Sequence, residues 1–148
     1  MKHFEDIEIG DRMTFGSLDV TADDIKRFAR DYDPQPFHMD EEAGKATHFG
    51  GLVASGWHTA AMTMKLLISD PENSVASLGS PGFDELRWRR PVRPGDRLHV
   101  TSECIEKTPS RSRPEMGVVR FQVNTYNQDD EVVMSFVSIA MIARREAA

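Results

Sequence analysis

Asp33 and His38 stand five positions apart, at the ends of the string Asp33-Pro34-Gln35-Pro36-Phe37-His38. A carboxylate beside an imidazole can hold and polarise one water, provided that both reach the same proton. The two prolines between them restrict the backbone and favour fixed placement. After a short bridge, Phe49-Gly50-Gly51-Leu52-Val53-Ala54-Ser55-Gly56 leads into the most apolar helical segment of the chain. Ser55 is a good N-cap, and Gly56 lets a ligand approach the backbone at the first turn. Backbone N–H groups there, with the helix dipole behind them, favour a developing enolate oxygen. These are the parts for proton transfer beside a stabilised oxyanion. A plainer reading stays open: Asp33 capping a turn, His38 packed structurally, and Ser55 capping an ordinary helix.

The remaining reactive residues carry weaker signals. His58 lies near the start of the apolar helix and reads as a satisfied structural histidine, although it is near enough to reach the site. His48 falls in a loop, and His3 and His99 are expected to be exposed. No histidine pair has a metal spacing such as H-E-x-x-H, so no metal is expected. Neither nucleotide phosphate loop occurs, and G-x-S-x-G is absent. Cys104 is the lone cysteine of the chain; a disulfide within it is excluded and a reducing, cytosolic setting is expected. Its place in an alternating run predicts a buried structural thiol.

The elements that must position these residues follow from periodicity. A first strand is expected near Arg12–Gly16. Thr21 caps a helix with acids at Asp23 and Asp24 in its first turn. Ile25, Phe28, Ala29 and Tyr32 form its apolar stripe, and the helix must stop before Pro34. Met39 to Thr47 fits a turn or two of helix. From Trp57 to Ser69 apolar residues fall on nearly every side of the helical wheel, which predicts a helix buried nearly all round, ended by Asp70-Pro71. Period two then takes over in 83–90, 97–107 and 118–125, with a loop over 108–117. The closing run Val132–Ala143 is apolar on both faces and reads as a central strand. The order of one strand, helices, then consecutive strands gives an α+β class with an antiparallel sheet around one apolar helix.

With 148 residues, 39% apolar and 28% charged, the chain suits one globular domain spanning 1–148. A net charge of −6 disfavours nucleic acid as a partner. The first ten residues hold no apolar core of a secretory signal, and no run approaches the roughly 20 residues of a membrane span. Within this acidic chain Arg87, Arg89, Arg90, Arg93, Arg97, Arg111 and Arg113 form a dense basic set. It could receive the phosphates of an acyl carrier such as coenzyme A; solvated strand edges explain each arginine equally well.

The string Asp33-Pro34-Gln35-Pro36-Phe37-His38-Met39-Asp40, with Phe49-Gly50 and the run Gly51–Gly56, resembles the MaoC-like hydratases and dehydratases of the hot-dog fold. Their loop reads D-x-N-P-x-H-x-D ahead of a glycine helix start. The likeness extends to the turn Arg89–Asp96 and the loop Ser110–Gly117, most of the chain. It implies reversible hydration of a 2-enoyl thioester to the (R)-3-hydroxyacyl thioester. Asp33 and His38 would hold the water, and the Gly56 amide would bind the thioester oxygen. Gln35, Phe37, Ser55 and Arg89 are expected to contact substrate. No cofactor is expected beyond the coenzyme A or carrier-protein thioester itself. A homodimer, or a higher assembly of dimers, is also implied. Gln35 and Ser55 depart from the family's common Asn and His, which points to a divergent subgroup and leaves the substrate, more than the chemistry, open. Two alternatives remain, a hot-dog thioesterase and a non-catalytic acyl-binding subunit. The first needs an acid on the core helix, and none lies between Trp57 and Ser69.

Overall fold

The computed structural model describes residues 1–145. Its elements in chain order are β1 (Arg12–Asp19), α1 (Ala22–Tyr32), α2 (Pro36–Met39), α3 (Glu41–Lys45), α4 (Gly56–Leu67), β2 (Gly82–Trp88), β3 (Arg97–Pro109), β4 (Met116–Tyr126) and β5 (Val132–Ala143). One five-stranded sheet runs in the order β1-β3-β4-β5-β2, with every pairing antiparallel. The strand that follows α4 in sequence therefore occupies the edge opposite β1. Among the described residues no helix is long and apolar enough to cross a membrane.

Local chemistry explains where the helices begin and end. The Thr21 hydroxyl accepts from the Asp24 amide at 3.1 Å, closing the first turn of α1. That helix ends at Asp33, whose amide donates to the Ala29 carbonyl at 2.8 Å, because the next residue is proline. Pro36 sits in the first turn of α2, where its missing N–H costs nothing. Asp40 caps α3 through the Ala43 amide at 2.9 Å.

The core lies between α4 and one face of the sheet. Met62 and Leu66 pack there with Phe15, Val100, Val123 and Met134, and the Thr63 hydroxyl meets that of Thr125 on β4 at 2.7 Å. Cys104 is buried, as its alternating run indicates, and burial raises its thiol pKa.

Several expectations need correction. β1 continues to Asp19, and the strands flanking 108–117 extend into it, leaving a turn over 110–115. α4 is not enclosed on all sides. Its buried residues are His58, Thr59, Met62, Thr63 and Leu66, while Trp57 is 60% exposed and Met64 and Ile68 face outward. A single sheet covers only one side of a helix, so apolar residues on the other side have nothing to pack against. Tyr32, read as part of the α1 stripe, is likewise exposed, as the last residue of that helix. His3 and His99 are half-buried; His3 Nδ1 is enclosed without a partner, and His99 stacks on Tyr126 at 4.9 Å. In 83–90 the alternation is broken by a bulge between Asp84 and Arg87, with Glu85 at φ 55°.

Candidate active site

Asp33 and His38 come together because α1 ends where α2 begins. His38 is 6% exposed. Its Nδ1 lies 2.7 Å from the Val53 carbonyl oxygen. A carbonyl only accepts, so Nδ1 carries the proton and neutral His38 keeps its lone pair on Nε2. That Nε2 faces Asp33 Oδ2 at 3.5 Å, beyond the ~2.7–2.9 Å of a direct charge-assisted bond. At this separation one water oxygen can touch both groups.

Asp33 is anchored from two sides. The Ser55 hydroxyl donates to its Oδ2 at 2.7 Å, and the Gln35 amide donates to its Oδ1 at 2.7 Å. The Ser55 bond is the main reason that the Asp33 pKa lies below the ordinary carboxylate value; burial opposes it, and Gln35 and His38 add to the lowering. Asp33 is thus held ionised, and His38 Nε2, whose lone pair faces it, is the atom placed to accept a proton. Ser55, fully buried, also accepts from the Trp57 amide at 3.3 Å. One hydroxyl both caps α4 and fixes the carboxylate.

The strand-like piece Val53–Ala54 ties the site together. Val53 N–H donates to the Phe37 carbonyl at 3.3 Å and Ala54 N–H to the Val92 carbonyl at 2.8 Å. Asp33, Gln35, Phe37, His38, Ser55, Gly56 and Arg89, all singled out from sequence, line one cleft of about 640 Å³. Among the described residues no acceptor pairs with the Gly56 N–H. Gly56 is required for a reason that its sequence context does not reveal. A Cβ there would come within 2.4–2.8 Å of the Trp88 indole, so side-chain packing demands the glycine as well as any ligand. Arg89 lines the cleft, its Nε donating to the Ser135 hydroxyl at 2.8 Å.

Sequence reading missed Trp88 as a lining residue and named Arg93 only within the basic set. Trp88, 46% exposed, meets Trp57 edge-on at 5.2 Å. Arg93 donates to the Phe49 carbonyl at 2.6 Å and so pins the glycine-rich loop. Only the density of arginine near Trp88 hinted at this wall. His58, by contrast, does not line the cleft. It is buried and stacked on Phe28 of α1 at 4.8 Å, and its Nδ1 has no partner, so it is structural without being satisfied. Among the described residues no group of three or more His, Cys, Asp or Glu is placed to hold a metal ion.

With this geometry in view, comparison with known proteins is informative. Residues 6–127 match the family model described as a MaoC-like domain. The chain belongs to the MaoC-like dehydratase family. Its architecture is the hot-dog fold of that family's solved members. A crystal structure of the MaoC-like dehydratase from Rhodospirillum rubrum is 44% identical, covers 98% of this chain and 99% of its own, and superposes with a TM-score of 0.87. The uncharacterized protein YdeM of Bacillus subtilis is 33% identical over 95% of this chain and 98% of its own. A 3-hydroxybutyryl-CoA dehydratase of Methylorubrum extorquens is 28% identical over 99% of this chain and 87% of its own. Membership of the MaoC-like family supports a hydratase or dehydratase activity in general.

Proposed function

We propose that the chain catalyses reversible hydration of a 2-enoyl thioester to the (R)-3-hydroxyacyl thioester, with coenzyme A as the carrier. The observation that carries this reading is the pinned imidazole: Nδ1 on the Val53 carbonyl, Nε2 turned toward an ionised Asp33. In the hydration direction, His38 Nε2 takes one proton of the water while Asp33 accepts the hydrogen bond of the other. The water oxygen bonds to C3 of the substrate. The C2–C3 π electrons move toward the thioester carbonyl, whose oxygen the Gly56 N–H and the α4 dipole stabilise. The His38 imidazolium then protonates C2, returning to its neutral form. Dehydration is the same path reversed.

Arg89 and its neighbours lining the cleft supply positive charge for the carrier's phosphates, and Gln35, Phe37 and Ser55 shape the substrate side. No cofactor enters this scheme. Thioester hydrolysis is less well served, since α4 carries no carboxylate. We further propose a homodimer working in the cytoplasm, which would cover the exposed apolar residues of α4 and β2. The test is loss of enoyl-thioester absorbance on adding the protein to a panel of 2-enoyl-CoAs. Asp33→Asn and His38→Ala are each expected to lower kcat by about 10²–10⁴-fold. Full activity in Asp33→Asn would remove the assigned roles, and a wild type silent across the panel would remove the reaction.

A further inference from the structure

A second cavity of about 390 Å³ lies at the other end of α4, lined by Met64, Leu67 and Ile68 of the helix and by Phe83, Val123 and Phe136 of the sheet. It shares no lining residue with the Asp33–His38 cleft. Each cavity lies between α4 and the sheet, and each meets the edge strand β2 through one residue, Trp88 in the cleft and Phe83 in the far cavity. Trp88 lies against Gly56 at the helix start, whereas Phe83 joins Met64 and Ile68 around the far cavity. These landmarks are roughly 12 Å apart along the helix at about 1.5 Å per residue, and about 15 Å apart along the strand.

Trp88 pairs with Met134 and Phe83 with Ser138; these partners oppose Thr125 and Phe121 on β4, and Thr125 bonds to Thr63 of α4. Phe83, Trp88 and the residue two before it, Leu86, therefore share the face turned toward the helix. Leu86 packs on the core and lines neither cavity. On the line along β2 from the cleft toward Phe83, the Trp88 indole comes first and Leu86 next. The indole is held there by the bare Cα of Gly56 on one side and the edge-on ring of Trp57 on another.

We propose that Trp88, backed by Leu86, is the specificity-determining residue of this cleft and confines it to thioesters of short acids. The far cavity is then the room that a longer chain occupies once the indole is gone. This inference rests on the hydratase reading, so its test separates the two. Turnover of 2-enoyl-CoAs from four to ten carbons is measured for wild type, Trp88→Ala and Trp88→Leu. Binding of butyryl-CoA and decanoyl-CoA, which cannot be hydrated, is measured by calorimetry for the same proteins.

Wild type should favour the four-carbon substrate. Both variants should raise the ten-to-four-carbon ratio of kcat/KM by about tenfold or more, the scale on which apolar pockets discriminate chain length. The ratio of decanoyl-CoA to butyryl-CoA affinity should move the same way. A wild type that accepts ten carbons as readily as four overturns the proposal, as does an unchanged profile in folded variants. Should Trp88→Ala fail to fold, Trp88→Leu decides, because it keeps an apolar side chain on Gly56. A shifted binding preference with no turnover in any protein would sink the hydratase reading and leave Trp88 its role. Turnover with an unmoved length profile would do the reverse.

Discussion

Ser55 shows how one small side chain can set the chemistry of another. Its hydroxyl caps α4 and donates to Asp33 from a fully buried position, so the departure from the family's common His still leaves the carboxylate fixed. Ser55→Ala removes both bonds. The expected cost at neutral pH is about 1–3 kcal/mol, from a lost charge-assisted bond and a lost cap. Because the bond depresses the folded-state pKa of Asp33, its contribution is present above the unfolded value of about 3.9. It fades as pH falls through the folded one. Urea unfolding of wild type and Ser55→Ala should therefore differ at pH 7, with the gap narrowing below about pH 4 to the part owed to the cap. A gap that persists undiminished at low pH would mean that Ser55 acts through the cap and packing alone.

At the scale of elements, the question is what holds α1 to α4, since one ends at Asp33 and the other starts at Gly56. The His58–Phe28 stack spans them two residues from Gly56 and five from Asp33. Burial lowers the His58 pKa, with Asp24 opposing and Arg27 assisting. A histidine depressed in the folded state loses stability for the protein as pH falls from the unfolded value of about 6.5 through the folded one. Phe at this position keeps an aromatic ring and removes both the titration and the unpartnered Nδ1. His58→Phe should flatten the fall in unfolding midpoint between pH 7.5 and pH 5 relative to wild type. Parallel pH dependence in the two proteins would show that folding does not shift the His58 pKa.

For the molecule as a whole, the exposed face of α4 and the open edge of β2 set the expectation. Trp57, Met64, Phe83 and Trp88 are all partly exposed on one chain. Edge strands with unpaired N–H and C=O groups invite pairing with another chain, and exposed apolar groups beside them favour association. The proposed homodimer should sediment at about twice the 16.7 kDa of one chain and resist dilution into the micromolar range. A monomer mass at all concentrations would leave those residues without a covering partner.

Much of this was fixed by the sequence alone, wherever the determining interactions are local. Thr21 and Ser55 mark helix starts because a cap bonds two or three residues ahead. Pro34 stops α1 through its own neighbour. Asp33 and His38 are set near each other by the short proline-stiffened chain between them, and the alternation of β4 follows from the period of an extended backbone. Other features arise between residues far apart in sequence, where only packing decides. Nothing near His38 indicates that the Val53 carbonyl will choose its tautomer. Nothing near Gly56 indicates that the Trp88 indole will lie on it. The run after Trp57 looks apolar on all sides because composition records what a residue is, not whether a neighbour covers it. Tertiary structure placed β2 at the far edge of the sheet, and that placement brought Trp88 to the cleft and left Trp57 in the open.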